Sequence, residues 1–154
     1  MFTNQYPTNC NISSPSQSGC TNIFWTPNPN KNTIDIKIQH RKSDKNNHFW
    51  AGLAIARENN MNDGDTYMCI EDDQQQEQKQ KLSLKSMVMQ GKWAPVEYEN
   101  DLLTNIKTYY EDDLEIFSCE FTRPYAIEIP KGTGNSPYTG RASLFTHLRL
   151  WDLN

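Results

Sequence analysis

Ile34-Asp35-Ile36-Lys37-Ile38-Gln39 alternates apolar and polar residues without a break. A period of two puts every isoleucine on one face and every polar side chain on the other, which predicts a half-buried strand. The next apolar stretch, FWAGLAIA at 49–56, is apolar on both parities and predicts a central strand. Further strands are expected at Thr66 to Ile70, in LSLKSMVM at 82–89, in YAIEI at 125–129 and in SLFTHLRLW at 143–151. LEIFSCEF at 114–121 reads as a strand whose inward parity changes between Ile116 and Phe117, as a bulge would produce. No amphipathic helix longer than two turns is expected. Several short strands separated by turn signals point to an all-β sandwich or barrel.

The segments between these strands are polar. Residues 1–33 carry Pro7, Pro15, Pro27 and Pro29 among Asn, Ser and Thr, and read as a turn-rich lead-in to one domain over 34–154. The tract DDQQQEQKQK at 72–81 reads as a hairpin tip or loop, residues 93–113 as irregular, and KGTGNSPYTG at 131–140 as a loop.

The chain has 154 residues, a net charge of -4 and 36% apolar residues, which is one domain's worth. An acidic chain without a basic cluster is a poor nucleic-acid binder. No apolar run reaches the length of a membrane span, so direct membrane insertion is not expected. The opening residues show no signal peptide, which suggests a trimmed or mature chain. Cys10, Cys20, Cys69 and Cys119 contain no C-x-x-C pair, which argues against thioredoxin-like chemistry and zinc ribbons. Four cysteines allow three pairings, and the most economical is Cys10–Cys20 with Cys69–Cys119. Asn11-Ile12-Ser13 is an N-glycosylation sequon. Together these features suggest an extracellular or lumenal domain.

Nucleophilic catalysis has little support, because G-x-S-x-G is absent and the three histidines lack motif context. Gly132-Thr133-Gly134 lacks the strand–turn–helix setting of a phosphate loop. Glu111-Asp112-Asp113 reads as a solvated turn, with weak calcium binding as the outside alternative. His40 and His48 flank the polar run RKSDKNN and read as exposed residues of a hairpin tip, or as a two-His metal site. His147 lies inside the last strand, on the parity of Phe145 and Trp151, and needs a partner if buried. Met61 is the only apolar residue between Arg57 and Thr66. It reads as a cap on a hydrophobic edge or as a thioether ligand. Methionine and histidine are together the axial pair of a low-spin electron-transfer haem.

Four segments, in this order, resemble the DOMON domain family. They are Trp50-Ala-Gly-Leu-Ala-Ile-Ala, then Met61-Asn-Asp-Gly-Asp65 before a strand with Cys69, then Cys119-Glu-Phe-Thr-Arg-Pro124, then the YAIEIP strand followed by a glycine loop and His147. Cys10, Cys20 and Trp25 are similar to the lead-in of DOMON domains in ferric-chelate-reductase-like proteins. The resemblance spans roughly residues 20–151. The loop between Gly91 and Asp113 and the glutamine tract depart from it.

The resemblance implies an immunoglobulin-like antiparallel β-sandwich. It also implies one of two ligand classes. One branch, typified by the cytochrome domain of cellobiose dehydrogenase, holds haem b non-covalently between a loop methionine and a C-terminal histidine. Met61 and His147 match those positions. Trp50, Tyr67 and Phe145 are then candidate haem-wall residues, and Arg123 or Arg149 a propionate partner. Such a domain relays single electrons to a redox partner, such as a transmembrane cytochrome or a flavin domain, which favours an electron-transfer domain over a catalyst on its own without settling whether the chain is an enzyme. The other branch is a haem-free module that binds a carbohydrate or a protein, with Trp93, Tyr98, Tyr109 and Tyr110 as candidate platforms.

Overall fold

A computed structural model describes residues 1–14, 16–43, 49–55, 62–72, 81–90, 93–128, 141–143 and 148–150. Twelve strands account for most of them: β1 (Phe2–Tyr6), β2 (Thr21–Asn28), β3 (Thr33–Arg41), β4 (Trp50–Ile55), β5 (Asn62–Asp72), β6 (Lys81–Gln90), β7 (Trp93–Glu97), β8 (Thr104–Glu111), β9 (Ile116–Pro124), β10 (Ala126–Glu128), β11 (Arg141–Ser143) and β12 (Leu148–Leu150). A single 3-10 turn, Pro29–Lys31, joins β2 to β3.

Two five-stranded antiparallel sheets form the expected all-β sandwich. The first has the order β1-β2-β3-β9-β8 and the second β12-β4-β5-β6-β7, with β10 and β11 as a separate pair. The alternation at 34–39 does what its period requires. Ile34, Ile36 and Ile38 are at most 2% exposed and face the second sheet, where they join Leu53, Ile55 and Tyr67 in one core with Phe117 and Phe121. Each such side chain contributes about 1.5–3 kcal/mol by leaving water. The apolar character of FWAGLAIA on both parities is also explained. Ala51, Leu53 and Ile55 enter that core, while Trp50, Gly52 and Ala54 border a hollow on the opposite face of β4.

Both expected disulfides are present. Cys69 on β5 and Cys119 on β9 join the two sheets across the core, and Cys10–Cys20 closes the loop between β1 and β2. Disulfides of this kind belong to a chain folded in an oxidising compartment. No helix among the described residues is long and apolar enough to cross a membrane.

Three expectations are corrected. Residues 1–33 are not merely a lead-in: β1 and β2 lie there, and Ile23 is fully buried in the core. Residues 93–113 are not irregular throughout, since they carry β7 and β8. The bulge is not in β9, whose register against β3 is unbroken from Arg41↔Ile116 to Thr33↔Pro124. It is in β8, where the register shifts between Thr104 and Lys107. Ile116 is buried on the outward parity, beside Arg41, whose guanidinium reaches the Ile12 carbonyl at 3.0 Å. Residues 73–80 and 131–140, with the two loop expectations that fall on them, lie outside the described residues; β5 and β6 pair up to Asp72↔Lys81.

Candidate functional site

The second sheet brings three strand ends together. Leu148 at the start of β12 pairs with Ile55 at the end of β4, and Ile55 pairs with Asp65 near the start of β5. Met61 and His147 themselves lie outside the described residues, as does Phe145. Their chain neighbours Asn62 and Leu148 open β5 and β12, the two strands that flank β4.

On the face of this sheet turned away from the core lies an apolar hollow of about 230 Å³. Trp50, Gly52 and Ala54 border it from β4, Thr66 and Met68 from β5, Met89 from β6 and Pro95 from β7. Glycine at position 52 matters here. A Cβ there would sit 3.2 Å from the Tyr67 carbonyl oxygen and 3.4 Å from Met68 Cγ, so a larger residue would press on both. The lining is largely apolar, as contact with the edge of a hydrophobic ring would require.

Beneath the start of β5, on the core side, lies a polar cluster. The Asp65 carboxylate and the Arg123 guanidinium are both fully buried and meet at 3.0 Å. Tyr67 Oη donates to Asp65 Oδ2 at 2.5 Å, Tyr98 Oη donates to Oδ1 at 2.7 Å, and Arg123 Nε donates to Tyr67 Oη at 2.9 Å. Burial pushes the Asp65 carboxyl above its ordinary range, and the Arg123 charge and the tyrosine hydroxyls pull against that. Burial and the neighbouring carboxylate raise both phenols well above theirs. Both phenols therefore stay protonated, as donors to the Asp65 carboxyl.

Tyr67 and Arg123 thus point between the sheets, and their polar atoms are engaged with Asp65, which leaves neither available to a ligand on the outer face. Trp50 lies on that outer face and borders the hollow. Arg149 pairs in register with Ala54, which also borders it. Of the candidate platforms, Tyr98 is tied to Asp65, Tyr110 packs against the core, and Tyr109 is 44% exposed on the other sheet. The Trp93 side chain is outside the described set.

His40 is not exposed at a hairpin tip. It continues the inward parity of Ile34, Ile36 and Ile38, is 5% exposed, and its Nδ1 meets Thr21 Oγ1 at 2.7 Å. Phe49 and Phe117 flank the ring, Nε2 has no hydrogen-bond partner among the described residues, and burial pushes the imidazole down to about 4. His48 lies outside the described residues. Close by, Lys42 and Glu71 form a second buried ion pair at 3.0 Å. Glu111, Asp112 and Asp113 are exposed, Glu111 at the end of β8 and the two aspartates in the turn that follows, and no group of three or more metal-ligating side chains occurs among the described residues. Asn11 of the sequon is exposed.

Sequence reading missed Met68 and Met89. The alternation of β5 carries the signal for Met68, because Tyr67 and Cys69 are inward and Met68 must then face out. No family model matches this chain, and no curated protein does.

Proposed function

We propose that this chain is an extracytoplasmic b-type cytochrome domain that relays single electrons to a redox partner. One observation carries the reading: the order β12-β4-β5 sets the two strands that Met61 and His147 precede in sequence on either side of β4, 86 residues apart though those residues are. The apolar hollow beside those strands and the donor chemistry of a thioether with an imidazole support it further.

Haem b, when bound, supplies the one-electron iron couple. Met61 Sδ and an imidazole nitrogen of His147 would hold the iron, and a thioether ligand would favour its reduced state. With two side chains as ligands, no iron position would be left open to dioxygen, which favours transfer over activation. Trp50 and Met68 keep water from the apolar side of the site. Two disulfides and the sequon at Asn11 support a secreted or outer-face location.

Titration of the purified chain with haemin, followed at the Soret band, tests this. Saturation at one haem per chain is expected. A titration no different from that of haemin with an unrelated protein rejects the reading.

A further inference from the structure

β8 is the last strand of the first sheet, paired with β9 on one side and, among the described residues, with no strand on the other. Thr104 to Tyr109 and Glu111 are all exposed, and Tyr110 is half-buried. The far side of β8 therefore presents a row of unpaired backbone N–H and C=O groups. The register shift between Thr104 and Lys107 disturbs the first part of the strand, whereas Lys107 to Glu111 runs without a break against Glu120 to Ile116. The regular part of this open edge is Lys107-Thr108-Tyr109-Tyr110-Glu111.

This stretch is complementary to itself when two copies run antiparallel. A two-fold axis at Tyr109 sets Lys107 opposite Glu111 of the second copy, Thr108 opposite Tyr110 and Tyr109 opposite its own copy, and the same pairs recur beyond the axis. Antiparallel pairing admits such an axis at a hydrogen-bonded or a non-hydrogen-bonded pair, so either phase of the edge permits it. Cβ atoms of directly opposite residues stand about 4.5–5.5 Å apart, which brings two Lys–Glu pairs and one Tyr–Tyr pair into contact. Tyr109 is 44% exposed in the single chain, and this arrangement covers its ring. Charges on an edge ordinarily discourage pairing. Here they have opposite sign and lie equally far from the axis. A shift of register by two residues separates both ion pairs, and an in-register parallel arrangement sets lysine beside lysine. The other edges lack this symmetry: β7 contains Pro95, β1 carries no charged side chain, and β12 spans only Leu148–Leu150.

We propose that a second copy of this chain docks on β8, antiparallel and two-fold symmetric about Tyr109, so that the first sheets of the two copies continue into one another. Backbone pairing supplies the attraction, and the Lys107–Glu111 pairs fix the register and the partner. The interface is isologous and therefore closes at two copies. It is also short, so the dimer is reversible and depends on concentration. The apolar hollow of the haem reading lies on the other sheet, bordered by β4, β5, β6 and β7, and takes no part in it.

Sedimentation equilibrium of the purified full chain, from about 1 μM to about 1 mM, should show the mass rising from one chain to two. Glu111→Lys sets lysine opposite lysine at both ends of the interface and should raise the dissociation constant about tenfold. Adding Lys107→Glu exchanges the two charges and should recover most of that loss. Tyr109→Cys brings two thiols to the axis, with Cα atoms about 4.5–5.5 Å apart, and should cross-link on mild oxidation. Lys107→Cys should not, because its own copy lies four residues along the edge, roughly 13 Å away. Three results overturn the proposal: a chain that stays single throughout, which leaves the edge to a different protein or to none; a dimer that Glu111→Lys does not weaken or the charge exchange does not recover; or a dimer in which Lys107→Cys cross-links as readily as Tyr109→Cys. The visible spectrum of the same sample reports on haem separately, so neither reading falls with the other.

Discussion

Replacing Arg123 with Met probes the polar cluster under β5. The substitution keeps much of the side-chain volume and removes the cation. Asp65 loses its 3.0 Å partner and Tyr67 loses the 2.9 Å donor from Nε, in a place where water does not reach. Leaving one member of a buried pair uncompensated costs about 3–5 kcal/mol. The carboxyl is already raised by burial, and without the guanidinium it rises further. The folded variant then holds a proton that the unfolded chain releases, so its stability relative to wild type recovers as pH falls from 7 towards 4. Urea unfolding at both pH values, followed by tryptophan fluorescence with the disulfides intact, measures this. Adding Asp65→Asn should restore part of the loss, because the double variant buries no lone charge. A deficit below about 1 kcal/mol, or one of the same size at both pH values, would refute the reasoning.

The intersheet bridge should also be costly to remove: Cys69→Ala with Cys119→Ala opens a closure of sequence separation 50 and should lose about 4 kcal/mol in the same assay. His40 should give the opposite pH signature to Asp65. Its imidazole stays neutral in the fold down to about 4, whereas the unfolded chain takes up a proton below 6.5, so stability falls as pH drops through that window, by up to about 3 kcal/mol. His40→Asn should flatten this part of the wild-type profile, and an unchanged slope would contradict the assignment. For the proposed ligands Met61 and His147, Met61→Ala should turn a low-spin haem spectrum into a high-spin or ligand-accessible one. A His147→Ala variant with unaltered haem affinity and spectrum would remove His147 from the site.

The sandwich was legible wherever a strand has one wet and one dry face. Ile34, Ile36 and Ile38 declare β3, and the same parity carries on to His40, which the neighbouring charges disguised as a loop residue. The missed strands lack that contrast. In β2, Pro27 lies beyond the stretch that β1 covers, Thr21–Trp25, so the missing N–H falls on an open edge and costs no ladder bond. β7 is an edge strand that contains Pro95, and β8 is an edge strand whose side chains are nearly all exposed. Edge strands carry polar and proline residues because they must discourage further pairing, which erases the periodicity that marks a strand. The buried cluster was hidden for a related reason. Asp65, Tyr67 and Arg123 are spread over 58 residues, and only the packing of β5 on β9 makes a polar parity position into an interior one.

Haemin reconstitution of the full chain, with spectra of the oxidised and the reduced forms before and after carbon monoxide, tests the central claim most directly. Ligation by Met61 and His147 predicts a six-coordinate low-spin haem in both states that carbon monoxide does not alter. A chain that retains no haem, or a reduced haem that binds carbon monoxide readily, would contradict it.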